Sequence, residues 1–237
     1  MKRKRPRIII VLISSFLLIA LVAFFWYYVS DYYKADEYAR SAAEHSMQLQ
    51  ELDDVRVFYP EDTVSRQIGF IFYPGGKVEA ASYAPLLSRL SEQGITCVLI
   101  EMPFNLAVFD VNAAKKVYSH FPEIDTWYIG GHSLGGAMAS SYAEKASTEL
   151  TGIILLGAYS VSDTNIPTVA IYGSNDMVLD KTKLPSSQSQ IIIEGGNHAN
   201  FGNYGEQEGD GVASITREEQ QQQTVDSILS FITETTR

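Results

Sequence analysis

The chain predicts an α/β fold, a mostly parallel sheet with helices on both faces, preceded by one transmembrane helix. Three observations carry that reading. From Val55 to the C-terminus short apolar runs alternate with helical patterns, as in strands joined through crossover helices. One run stops at a serine set between glycines, Gly131-His132-Ser133-Leu134-Gly135. Near the N-terminus, a long apolar stretch follows a cluster of basic residues.

That stretch comes first in the chain. Residues 1–7 form a basic tail with Lys2, Arg3, Lys4, Arg5 and Arg7, and Ile8 to Val29 is apolar or aromatic apart from Ser14 and Ser15. As a helix it would span about 33 Å, enough for a hydrocarbon core of about 30 Å. A cleaved signal peptide would have a shorter apolar core followed by a small-residue cleavage site. Here Trp26-Tyr27-Tyr28 end the stretch, an aromatic belt of the kind found at membrane interfaces. The expectation is an uncleaved anchor over residues 8–29. The basic tail puts the N-terminus in the cytoplasm and the rest of the chain outside the cell membrane.

The formal net charge is -10, and without those five basic residues the remainder holds 13 basic against 28 acidic residues. Such a balance argues against nucleic acid as a partner. Cys97 is the only cysteine, which rules out an intrachain disulfide and a thiolate metal cluster. Nothing in the sequence fixes an oligomeric state.

Residues 30–54 are polar with mixed charge and read as a stalk; residues 55–237 read as one folded domain. Strand-like runs cover Val55 to Tyr59, Ile68 to Tyr73, Cys97 to Ile100, Trp127 to Gly130, Ile153 to Leu156, Val169 to Tyr172 and Ile191 to Ile193. The first two, joined by a segment opening Pro60-Glu61-Asp62, suggest a hairpin. At the C-terminal end, Thr216 and Glu219 have the spacing of a capping box, and Val225, Ile228, Leu229 and Ile232 make one apolar helical face. Gln220 to Gln223 reads as the solvated side of that helix.

The serine carries the chemistry. Thr126 to Gly130 predicts a strand and Gly136 onward a helix, so Ser133 falls on a tight strand-to-helix turn, where flanking glycines let the two elements approach. A serine hydroxyl needs a base, and the base needs an orienting acid. Of four histidines, His45 falls in the stalk, His120 in a surface loop, and His132 should point away from its neighbour's hydroxyl. His198, after a strand that ends in glycines, is the expected base. Asp176, after the Val169 to Tyr172 run, is the expected acid, with Asp180 as its alternative; Glu101 and Glu194, the latter expected within its strand, read as structural. The order serine, acid, histidine is the one associated with this turn. Donors for the oxyanion should be the backbone N–H of Leu134 and that of Gly76, with Lys77 in reserve.

These residues together resemble the α/β-hydrolase superfamily. The blocks Tyr73-Pro74-Gly75-Gly76, Met102 to Ala107, Trp127 to Gly136 and Gly195 to Gly202 look like a compact bacterial subfamily, α/β-hydrolase fold-5. The resemblance implies the fold and the triad and leaves the substrate open. Only about ten residues separate Leu156 from Pro167, where many relatives insert a helical cap, so a minimal cap or none is expected. The glycine-rich acidic run from Phe201 to Gly211 reads as a solvated loop, with a pocket wall or a calcium loop as alternatives.

The expected activity is cleavage of a carboxylic ester, small or presented by the cell envelope, through an acyl-enzyme and without a cofactor. Transfer of the acyl group to another hydroxyl would use the same triad. A non-catalytic binding module on the same scaffold is the alternative from another class. A dienelactone-type reaction is disfavoured because the relatives that perform it commonly carry cysteine where Ser133 stands.

Overall fold

A computed structural model describes residues 4–48, 52–61, 67–146, 148–185 and 189–236. Lys2 and Arg3 of the basic tail, residues 49–51 of the expected stalk and Asp62 lie outside them. The chain forms two compact units, Met1–Tyr32 and Tyr33–Arg237. In the first, helix α1 spans Lys4–Ser30. Its segment Ile10–Ser30 is long and apolar enough to cross a membrane, by length and composition alone.

The second unit is built on an eight-stranded sheet. Its strands are β1 (Met47–Gln48), β2 (Val55–Phe58), β3 (Ile68–Tyr73), β4 (Ile95–Ile100), β5 (Thr126–His132), β6 (Gly152–Leu156), β7 (Thr168–Gly173) and β8 (Ser189–Ile193), in the spatial order β1-β2-β4-β3-β5-β6-β7-β8. Strands β3 to β8 run parallel, while β1 and β2 are antiparallel additions at one edge. The hairpin expected between the first two runs does not form. Strand β4 lies between them and pairs with both, Val57 standing opposite Val98 and Ile71 opposite Val98 on the other side.

Alternation along the strands divides the apolar residues between two cores, one on each face. Phe70 and Phe72 face one core, shared with Leu86, Leu87 and Leu90 of α3 (Ala84–Glu92) and with Val225, Ile228 and Ile232 of α5 (Arg217–Thr235). Ile71 and Tyr73 face the other, shared with Ala139, Tyr142 and Ala143 of α4 (Leu134–Lys145). The capping box at Thr216 and Glu219 closes the first turn of α5 from both sides. Cys97 is buried in the first core, where burial pushes its thiol pKa up.

The described part of the expected stalk is a built-in piece of this unit from Tyr33 onward. Tyr33 N–H donates to Lys77 O at 2.7 Å, and Tyr33 O accepts from Glu79 N–H at 2.9 Å. Helix α2 (Glu37–Glu44) buries Ala39 and Ala43. Asp36 caps α2 through Ala39 N–H and pairs with Arg217. Polarity misled because the buried face of so short a helix needs only two alanines.

Parallel pairing brings the C-terminal ends of β3, β5, β6, β7 and β8 to one edge: Tyr73 stands opposite Gly131, His132 opposite Leu156, and Gly173 opposite Ile193. In sheets of this kind, ligands bind beyond the strands' carboxyl ends.

Candidate active site

Ser133 sits between β5 and α4 with φ 51° and ψ -122°, a backbone that costs a non-glycine residue about 1–3 kcal/mol. Two constraints hold it there. Its N–H donates to Leu156 O on the neighbouring strand at 2.9 Å, and its carbonyl accepts the first helical bond from Ala137. The flanking glycines are sterically required. A Cβ on Gly131 would lie 2.4 Å from Tyr73 O, and one on Gly135 would lie 2.2 Å from Pro74 O.

Asp176 and His198 come together two strands away, both about 1% exposed. His198 Nδ1 lies 2.9 Å from Asp176 Oδ2. The other carboxylate oxygen accepts from Val178 N–H at 2.9 Å and Leu179 N–H at 2.8 Å, so the carboxylate is held by three groups. His198 Nε2 is buried and has no hydrogen-bond partner among the described residues. That includes Ser133: no hydrogen bond joins its hydroxyl to His198 in this structure. Such bonds are often long before substrate binds. Gly157 lies against the pair at φ 52°, where a Cβ would stand 2.9 Å from His198 Nδ1 and 3.1 Å from Asp176 Oδ2.

The alternative acid lines the same cavity as Ser133 but is not the partner of His198. Asp180 is bound locally to Thr182 N–H and Oγ1 and pairs with Lys183. The Thr182 hydroxyl, foremost among these contacts, lowers its pKa. Glu101 pairs with Arg56 at 2.6 Å, and Glu194 stands exposed in the turn after β8 rather than inside it. His45 bonds its own helix through Ser41 O.

Of the three oxyanion donors expected, two are available. The N–H groups of Gly76 and Leu134 have no hydrogen-bond partner among the described residues. Gly76 approaches so closely that a Cβ there would be 2.8 Å from Leu134 Cδ2. The Lys77 N–H, held in reserve by the sequence reading, is bonded to Asn105 O at 2.8 Å. It cannot serve without breaking that bond.

The loop that carries His198 is fixed by groups the sequence reading took for solvated surface. Gln220 is fully buried, and its amide bonds both sides of Asn197, accepting from the N–H at 2.9 Å and donating to the carbonyl at 2.7 Å. Gln221 donates to Asn203 Oδ1 at 2.7 Å. Asp210 Oδ2 accepts from Ala199 N–H, so the acidic run folds back on the histidine turn, and Phe201, Asn203 and Tyr204 are buried. The signal was in the spacing: residues 220, 221, 224, 225 and 228 share one helical face.

Ser133 opens on a cavity of about 350 Å³ whose wall includes Leu134, Ala137, Ala158, Tyr159, Val178 and Lys183. Larger hollows of about 510 and 430 Å³ adjoin residues 162–167 and are lined by no histidine. The loop from Leu156 to β7 contains no helix, so no helical cap is inserted there.

A parallel α/β sheet with a serine on a strained strand-to-helix turn, and an acid–histidine pair at the same edge, defines a class of hydrolase scaffold. The chain belongs to the alpha/beta hydrolase family, whose model matches residues 69–222, more than half its length. Three solved structures share the fold at low identity. TT1662 from Thermus thermophilus is 12% identical with a TM-score of 0.56, covering 80% of this chain and 97% of its own. Est1E from Butyrivibrio proteoclasticus is 12% identical with a TM-score of 0.55, covering 79% and 98%. MGS-MChE2, an alpha/beta hydrolase enzyme from the metagenome of lagoon sediments at Mar Chica, Morocco, is 14% identical with a TM-score of 0.51, covering 66% and 90%. No curated protein matches the sequence. Family and fold together support a hydrolase.

Proposed function

We propose that the protein is a membrane-anchored serine hydrolase that cleaves carboxylic esters outside the cytoplasm. The observation that carries this reading is the strained Ser133 turn at the same sheet edge as the His198–Asp176 pair. Ser133 Oγ attacks the ester carbonyl carbon while its proton passes to His198 Nε2, and Asp176 stabilises the imidazolium that results. The oxyanion is held by the N–H groups of Leu134 and Gly76. Collapse of the tetrahedral intermediate expels the alcohol, which takes the proton from His198 and leaves an acyl-Ser133. Water, deprotonated by His198, then attacks the acyl carbon, and the acid departs as Ser133 recovers its proton. No step calls on a cofactor.

Turnover of a short-chain nitrophenyl ester by the Ser133→Ala variant tests this. The expected result is a loss of about 10⁴-fold or more in kcat, as when a serine acting with its histidine is removed. Turnover within tenfold of wild type would contradict it. An alcohol added to the wild-type reaction separates hydrolysis from acyl transfer: free acid is the product expected here, whereas a new ester as the main product would reassign the same triad to transfer.

A further inference from the structure

A second buried layer lies directly under the reacting groups. Tyr83, at the end of the short 3-10 helix Ala80–Tyr83, sends its hydroxyl to the loop after β3, where it accepts from Gly75 N–H at 3.0 Å. The same oxygen lies 2.8 Å from His132 Nδ1. Both side chains are fully buried. The His132 ring lies against that of His198, centroids 4.4 Å apart and tilted by 47°. Burial first, then the charge of His198, hold the His132 pKa well below its usual value, so the ring is neutral; the His198 backbone, the smallest influence, favours a ring proton. The Tyr83 hydroxyl already accepts from Gly75 N–H, so its one proton is directed to Nδ1, and the ring's own proton is assigned to Nε2, which has no hydrogen-bond partner among the described residues.

We propose that Tyr83 and His132 form a positioning strut for the reaction above, fixing the Gly75–Gly76 turn and the His198 ring in one relation. The inference rests on the serine-hydrolase reading. Its logic is geometric: Gly75 adjoins the donor Gly76, and His132 adjoins both the nucleophile in sequence and the base in space. An apolar pair could fill this volume without the cost of burying two polar side chains. What the polar pair adds is direction, because a hydrogen bond fixes the orientation of the Gly75 peptide and of the imidazole ring in a way that contact alone does not. Donors held in advance at the developing oxyanion are worth a large share of a barrier, and a shift of about 1 Å can cost about 10²-fold in rate.

The full-length protein in detergent provides the test, with kcat, KM, the inhibition constant of a trifluoromethyl ketone that mimics the tetrahedral intermediate, and Tm measured for each variant. Tyr83→Phe removes one hydroxyl and keeps the ring. The strut predicts a kcat lower by about 10- to 100-fold, a KM within about threefold, and ketone affinity falling in parallel with kcat/KM. His132→Leu should match it, while His132→Asn, whose amide oxygen can stand where Nδ1 accepts, should recover most of the loss. This pair also serves as the test if Tyr83→Phe does not fold. Wild-type kcat and ketone affinity in either Tyr83→Phe or His132→Leu, even with a lowered Tm, would overturn the strut and leave a purely structural pair. Labelling of the wild type by a fluorophosphonate distinguishes the two levels. Labelled wild type with unaffected variants sinks the strut alone, whereas unlabelled wild type sinks the hydrolase reading and the strut with it.

Discussion

His132 shows how a residue can be placed by sequence and still be underread. Its neighbour on a tight turn must project the other way, which the chain order makes plain, and the ring does lie beneath the edge against Tyr83, Phe201 and Tyr204. The hydroxyl that meets it comes from 49 residues upstream, a distance no local pattern spans. The buried neutral ring carries a consequence for stability. Its folded pKa lies below the unfolded value near 6.5, so above that pH both states are unprotonated and nothing is lost. Below it the unfolded chain takes up a proton that the folded chain refuses, and stability falls by up to about 1.4 kcal/mol per pH unit. Denaturant unfolding between pH 7 and 5 should show this slope. It should be shallower by that amount in His132→Asn; an equal slope in both would contradict the assignment.

At the scale of elements, the strands and the site-bearing loops were legible and the strand pairing was not. Each of the seven expected runs forms a strand, because short, mostly apolar runs of three to six residues have few alternatives to burial in a sheet. Which strand lies beside which depends on contacts far apart in the chain, and β4 accordingly separates β2 from β3. The start of the C-terminal helix was legible in its capping box, and Gln222 and Gln223 are exposed as expected, yet Gln220 and Gln221 were assigned to solvent with them when their spacing set them on the buried face. Gln220 gives the clearest prediction. Replacing it with alanine leaves the N–H and the carbonyl of Asn197 without the partners they now have. At about 1–3 kcal/mol for each group left unsatisfied, the protein should lose about 2–6 kcal/mol, with a fall in kcat as the His198 turn loosens. A change under about 0.5 kcal/mol would show that water replaces the amide there.

For the whole molecule, the two units answer to different physics. The first is read from length and composition: 21 residues from Ile10 to Ser30 give a helix of about 31 Å, close to the apolar thickness of a bilayer. The second is a folded body, acidic on balance, that begins at Tyr33. The boundary expected for the folded body, Val55, lies 22 residues after the Tyr33 at which the compact unit begins, because α2 and the Tyr33 pairing carry almost no apolar signal. If the span is the anchor proposed above, the five basic residues ahead of it would orient the body outward. Protease added to intact cells should therefore digest it. A body that stays protected until the cells are opened would reverse the orientation.

Whether Ser133 is the nucleophile can be measured without assuming a substrate. Intact protein is treated with a fluorophosphonate, digested, and its peptides mapped by mass spectrometry. A single phosphonyl adduct is expected on Ser133, absent after denaturation before treatment and absent in Asp176→Ala and His198→Ala at the same exposure time. An adduct on another residue, or none on folded protein, would contradict it.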